Sequence, residues 1–223
     1  MKELRFDSQE KWLEALVEKW QEWGSACLGA RGTFSVALSG GSSPQAFYEA
    51  LTKIDWTWDA TEMFVGDERR VPPDHPDSNY KMMWEAFHPK RIKLHRWKTE
   101  DNDLQAASLD FSKQLTSVLG NPPRFDLILL GIGNDGHTAS LFPETAALNE
   151  TDSFTVVNQV PQLSTTRLTL TYPVIEKARA VWFLSKGEGK QPWIDKMTAG
   201  DTDSCPAAQV ICQESEPLIF NWN

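Results

Sequence analysis

Cysteine is scarce in this 223-residue chain, and the three present, Cys27, Cys205 and Cys212, are odd in number and show no C-x-x-C spacing. That argues against a disulfide framework or a structural zinc site and leaves buried free thiols as the reading. Long hydrophobic runs are missing too: no apolar stretch approaches the roughly 20 residues of a membrane-spanning helix. The N-terminal "MKELRFDSQEKW" turns acidic and polar within a few residues and lacks the apolar segment of a secretory leader. A reducing, cytoplasmic setting is therefore expected. Positive charge is in deficit, with 22 Lys and Arg against 31 Asp and Glu and a net charge of −9. Such a balance disfavours a nucleic-acid partner or an anionic membrane surface. It leaves room for an anionic small molecule, because a few local cations outweigh a distant negative field that salt screens.

What is present is an ordinary globular composition, 40% hydrophobic and 24% charged, enough to bury a sizeable core. Ten tryptophans read as core and half-buried surface. No internal repeat, low-complexity segment or linker divides the chain, so residues 1–223 read as one domain. A monomer or weak homo-oligomer is expected.

Ser8 is placed to cap a helix whose apolar residues Trp12, Leu13, Leu16, Val17 and Trp20 recur at helical spacing. Helices are also expected over "QAFYEAL" after Pro44, over "NYKMMWEAFH", over "DLQAASLDFSKQLTSVLG" with Gly120 closing it, and over "GEGKQPWIDKM". Between them "TFSVAL", "EMFVG", "IKLHRW", "FDLILL", "SFTVVN", "TRLTLTY", "AVWFLS", "AQVICQ" and "PLIFNW" read as strands. Alternation of the two kinds predicts a doubly wound α/β domain with a mainly parallel sheet and helices on both faces. Such sheets bind ligands at the carboxyl ends of their strands. Three strand ends carry chemistry: "SGGSSP", "GDERRVP" and "GIGNDGHT".

The third contains G-x-G-x-x-G, at Gly131, Gly133 and Gly136, and raises the prospect of a dinucleotide site. A dinucleotide turn needs a helix behind its last glycine to receive the pyrophosphate. Here Asp135 would repel that group, and Pro143 ends any helix starting at His137 within two turns. The other reading treats the glycines as backbone devices that hold Asp135 and His137 over a substrate, the carboxylate orienting the imidazole. A lone histidine in such a turn would more often be a surface cap; two further polar loops at the same sheet edge weigh against that. "SGGSSP" offers backbone N–H groups and hydroxyls at a helix start, a phosphate cradle without the P-loop lysine, although alone it reads equally as a flexible turn. "GDERR" brings Asp67, Glu68, Arg69 and Arg70, where adjacent opposite charges are more often a solvated network. Arg167 and Lys190 are either exposed cations or partners of a phosphate.

Taken in order, "LSGGSSP", "VGDERRVPPDHPDSNY", "FDLILLGIGNDGHTASLFP", "RLTLTYPVI" and "FLSKGEGK" resemble the 6-phosphogluconolactonase family, relatives of the glucosamine-6-phosphate deaminases and isomerases. The resemblance spans nearly the whole chain and is most specific at D-G-H-T-A-S-L-F-P. It implies a Rossmann-like fold and hydrolysis of 6-phospho-D-glucono-1,5-lactone to 6-phosphogluconate, in the oxidative pentose phosphate pathway, with no metal and no organic cofactor. It also implies His137 as general base with Asp135 beside it, Arg69 as the active-site arginine and Asp67 as the related acidic position. Ser39, Gly40, Gly41, Ser42, Arg167 and Lys190 resemble the phosphate site. The deaminase relatives carry an acidic residue five positions after the histidine; this chain has Phe142 there. A deaminase or isomerase using Asp67, or a non-catalytic sugar-phosphate sensor, are the competing expectations.

Overall fold

The computed structural model describes residues 1–88 and 90–223. Its centre is a seven-stranded sheet in the order β1-β10-β9-β6-β2-β3-β5, formed by Lys2–Phe6 (β1), Leu218–Trp222 (β10), Val181–Lys186 (β9), Leu127–Leu130 (β6), Phe34–Leu38 (β2), Thr61–Val65 (β3) and Lys93–His95 (β5). Every neighbouring pair runs parallel. Central strands of such a sheet are covered on both faces. Accordingly Phe34–Leu38 and Leu127–Leu130 are buried at every position.

Helices flank the sheet: Gln9–Arg31 (α1), Ser42–Leu51 (α2), Asn79–Phe87 (α3), Leu104–Leu119 (α4), the short Tyr172–Glu176 (α5) and Gln191–Ala199 (α6). The first begins where the sequence says it should, Ser8 accepting from the Lys11 N–H, and ends at Gly32 in the left-handed region with φ 72°. Its buried residues Trp12, Leu16, Trp20, Gly24 and Cys27 form one stripe. Gly24 is required in it, since a Cβ there would stand 2.5 Å from the Trp56 ring. All ten tryptophans except Trp84 are buried or half-buried. No helix among the described residues is long and apolar enough to cross a membrane.

Three features depart from the sequence reading. Residues 208–213, "AQVICQ", expected as a strand, instead finish a 3-10 turn over Pro206–Gln209 and continue as irregular chain; Ala208 and Val210 are buried without a strand partner, while Ile211 is exposed. The polar N-terminal segment, in contrast, forms edge strand β1. Beyond the main sheet lies a small antiparallel one, Asp67–Arg69 (β4), Thr165–Leu170 (β8) and Thr155–Val160 (β7), in the order β4-β8-β7. It grows out of β3: after Gly66 the chain leaves the parallel sheet, and the Leu170 N–H donates to the Gly66 carbonyl at 3.1 Å. The "GDERR" segment is therefore a strand of a second sheet rather than a loop.

The topological reversal falls between β2 and β6, neighbours from which the strand order runs in opposite directions. Ser39, Gly66 and Gly131 follow directly at the carboxyl ends of β2, β3 and β6. This is the crevice where open α/β sheets receive ligands.

Candidate active site

A cleft of about 320 Å³ opens there. Ser39, Gly40 and Gly41 line it from the loop after β2, Asp67 and Arg69 from β4, His137 from the loop after β6, and Arg167 from β8. Four separate segments, all expected from the sequence, thus converge on one space.

The loop after β6 is folded around the histidine. The Gly133 N–H donates to the His137 carbonyl at 2.8 Å, and the Thr138 hydroxyl donates to the Gly131 carbonyl at 2.9 Å. Gly133 packs against the imidazole: a Cβ there would stand 2.1 Å from Nδ1. Above it the Phe142 ring is stacked at 4.0 Å between centroids and 28° between planes. Asp135 Oδ1 accepts from His137 Nδ1 at 2.5 Å and from its backbone N–H at 3.2 Å. Burial alone would push the Asp135 carboxyl up, but the charge and hydrogen bonds of His137 outweigh it and hold it below the usual carboxylate range. An ionised carboxylate only accepts, so Nδ1 carries the proton and a neutral ring keeps Nε2 as its acceptor. No helix follows this loop; the next helical turn is the 3-10 segment Ala146–Asn149. The dinucleotide reading therefore lacks the helix it needs.

The loop after β2 is fixed from below. The Tyr48 hydroxyl accepts from the Ser39 N–H at 3.0 Å and donates to the Ser39 carbonyl at 2.9 Å. Gly41, with φ 104°, turns the chain into α2, a conformation that suits glycine. Ser42 begins α2 and is exposed, outside the cleft lining.

Across the cleft Arg69 and Arg167 are direct partners in the β4–β8 pairing. Burial, and then the charge of Arg69, pull the Arg167 pKa down. Asp67 is buried, with Oδ2 accepting from the Ser140 hydroxyl at 2.6 Å. Glu68 is more deeply buried; burial pushes its carboxyl up against the pull of hydrogen bonds from Tyr80, Asn79, Arg69 and Ser78. Lys190 does not line the cleft. Its Nζ donates to Asn134 Oδ1 at 2.5 Å, on the loop that carries Asp135 and His137, and burial lowers its pKa while Asp135 raises it.

Asn79, Ser140, Phe142 and Leu163 also line the cleft and were not singled out from the sequence as site residues. Asn79 and Ser140 stand inside the "DSNY" and "HTASLFP" segments, so position beside a motif was their only signal. Leu163 sits at the tip of the β7–β8 hairpin, and nothing local marks it. Ala139, a further lining residue, has a positive φ of 47°, the kind of backbone strain that folds retain mainly around functional loops.

The profile of the family described as glucosamine-6-phosphate isomerases/6-phosphogluconolactonase matches residues 7–219. A 6-phosphogluconolactonase of Synechocystis sp. is 40% identical over 202 residues, covering 86% of this chain and 83% of its own. One of Chlamydia trachomatis is 37% identical over 198 residues, with 86% and 75% covered. Among solved structures, the 6-phosphogluconolactonase of Thermotoga maritima superposes with a TM-score of 0.88 at 26% identity, each chain covered completely. That of Trypanosoma brucei gives 0.86 at 28% identity, with 99% of this chain and 95% of its own covered. A profile match over most of the length, relatives this similar and a shared parallel-sheet architecture agree: this chain belongs to the glucosamine-6-phosphate isomerase/6-phosphogluconolactonase family.

Proposed function

We propose that residues 1–223 form one catalytic domain that hydrolyses 6-phospho-D-glucono-1,5-lactone to 6-phospho-D-gluconate, in the oxidative pentose phosphate pathway. The observation that carries this reading is the clamped imidazole of His137, with Nδ1 held by Asp135, Gly133 packed against the ring and Phe142 stacked on it. A ring so fixed presents Nε2 as a proton acceptor in one direction.

A lactone carbonyl is already activated, so the reaction asks for a positioned water, a base and help for the oxyanion. His137 takes a proton from water as its oxygen attacks the carbonyl carbon. Arg69 and the glycine-loop N–H groups are the donors available to the developing oxyanion. The intermediate collapses with cleavage of the ring C–O bond, and the proton held by the imidazole passes to the departing hydroxyl. Asp135 stabilises the transient imidazolium. Ser39, Gly40, Gly41 and Ser42, with Arg167 and Lys190, receive the phosphate; the Ser39–Gly41 lining, the helix start that follows it and the Arg167 cation in the cleft support that assignment. No step requires Asp67 as a base; its Oδ2 accepts from the Ser140 hydroxyl at the cleft wall.

Ring-opening deaminase chemistry is disfavoured because Phe142, not a carboxyl group, covers the imidazole. A sensor would have no use for the Asp135–His137 clamp. Free thiols at Cys27, Cys205 and Cys212 support a cytoplasmic setting. The large exposed apolar residues Trp84, Leu109, Val118, Leu163 and Ile211 are spread over several elements, which supports a monomer or weak homo-oligomer. The test is a coupled assay on freshly made lactone, corrected for spontaneous opening, with glucosamine 6-phosphate and an ammonia readout as control. Turnover of the lactone alone is expected; ammonia release without lactone turnover would overturn the assignment.

A further inference from the structure

Asp67, Glu68 and Arg69 are consecutive, yet neither carboxylate forms an ion pair with Arg69. Asp67 Oδ2 is taken by the Ser140 hydroxyl at 2.6 Å. Glu68 is committed to the first turn of α3, accepting from the Ser78 hydroxyl at 3.0 Å and from the Asn79 and Tyr80 N–H groups at 2.8 Å each. Arg69 is held instead by neutral acceptors: its Nη1 donates to the Asp77 carbonyl at 2.8 Å and to Asn79 Oδ1 at 2.7 Å. Arg167, its cross-strand partner, likewise has no ion pair among the described residues. Like charges directly opposite each other destabilise a strand pair, and this acidic chain has carboxylates nearby that could relieve the strain. They are tied up elsewhere.

Asn79 is the centre of this arrangement. Both ends of its buried amide are committed, Oδ1 to Arg69 and Nδ2 to the Asp67 carbonyl at 2.7 Å. The orientation is dictated, since a flipped amide would set N–H against guanidinium and oxygen against oxygen. The same side chain presses on the phosphate-loop candidate: a Cβ at Gly40 would stand 2.0 Å from Asn79 Oδ1. Glu68 fixes the backbone of Asn79 through its N–H. One amide therefore touches the loop after β2, the start of β4 and the guanidinium that enters the cleft.

We propose that Asn79 is a positioning residue: its neutral amide aims Arg69 into the cleft and leaves the guanidinium charge free for an anionic group of the substrate. An aspartate in the same place would aim the fork equally well but quench it. The assignment rests on the lactonase reading for the identity of the ligand, and on the cleft geometry alone for the Asn79–Arg69 coupling.

The experiment is a double-mutant cycle read on 6-phosphogluconate affinity by calorimetry, using wild type, Asn79→Ser, Arg69→Met and the double variant. Asn79→Ser removes the acceptor without adding charge and should weaken binding about 3- to 10-fold. In the Arg69→Met background the same change should cost about 2-fold or less, because the residue it acts through is gone. Asn79→Asp sets a carboxylate oxygen against the Asp67 carbonyl that Nδ2 now donates to, so it should lower the melting temperature; in protein still folded at the assay temperature it should weaken binding about 10- to 100-fold and flatten its dependence on salt. Equal costs of Asn79→Ser in both backgrounds would show that Asn79 is scaffolding and overturn the proposal. So would an Asn79→Asp protein that binds as tightly as wild type. A wild type that neither opens the lactone nor binds 6-phosphogluconate would overturn the functional reading itself, and with it the ligand assigned to Arg69.

Discussion

The Phe142 ring lies over the His137 imidazole with centroids 4.0 Å apart, while Gly133 packs so tightly against the same ring that a Cβ would stand 2.1 Å from Nδ1. Adding one methyl group at Gly133 therefore displaces the imidazole or its loop. Gly133→Ala should lower kcat about 10-fold or more while 6-phosphogluconate still binds, because the proposed phosphate contacts lie on other segments. Phe142→Leu, which keeps an apolar cover but loses the flat stack, should cost less. Steady-state kinetics alongside product calorimetry checks both; Gly133→Ala with normal kcat would remove the clamp from the mechanism.

His137→Asn keeps a polar side chain of similar reach but removes the proton acceptor. The expected fall in kcat is about 10²–10⁴-fold. The fold should survive, shown by an unchanged melting transition. Spontaneous lactone opening accelerates with pH and must be subtracted, since it disguises a dead enzyme. Normal turnover by a folded His137→Asn protein would send the search for the base to Asp67 or Asp135.

Asp135 is held below the usual carboxylate range, and the sign of that shift makes a pH prediction. A depressed carboxyl contributes its stabilisation above its unfolded value, about 3.9, and loses it only as pH falls through the lower folded value. Between pH 5 and 8 Asp135 thus stays ionised, so an acid-side loss of kcat/KM in that window does not come from Asp135. Asp135→Asn should reduce kcat about 10-fold or more, short of the His137→Asn loss, by releasing the ring tautomer. A pH–rate profile of the two proteins tests this. An acid limb that disappears in Asp135→Asn without loss of kcat would contradict it.

Arg167 lines the cleft and Lys190 stands beside Asn134 outside it. Arg167→Ala should mainly raise KM, by the equivalent of about 1.5–3 kcal/mol for one charge-assisted contact. Lys190→Ala should raise it less, since its ammonium already has a partner. Unphosphorylated gluconolactone should be a poor substrate for wild type and should be little affected by either change. Equal efficiency on the two lactones would refute the phosphate site.

The sequence by itself determined the parts that depend on short-range pattern. Runs such as "FSVAL" and "LILL" announce strands buried on both faces, Ser8 marks the start of α1, and the glycine spacing around Asp135 and His137 marks a loop that holds side chains in place. Because parallel strands end on one edge, it also determined that Ser39, Gly131 and His137 would meet. Only the tertiary structure decided how the charges between them are disposed. Strand β4 is three residues of charge, too short and too polar to announce itself, and its pairing with β8, about 100 residues away, is what sets Arg69 against Arg167. The same long-range packing gives edge strand β1 a partner in β10 and leaves "AQVICQ" without one. Asn79 lies ten residues after Arg69 and 39 after Gly40 in the chain, and no periodicity joins them. Their contact exists because Glu68 fixes the first turn of α3 against β4, an arrangement made by buried hydrogen bonds rather than by local propensity.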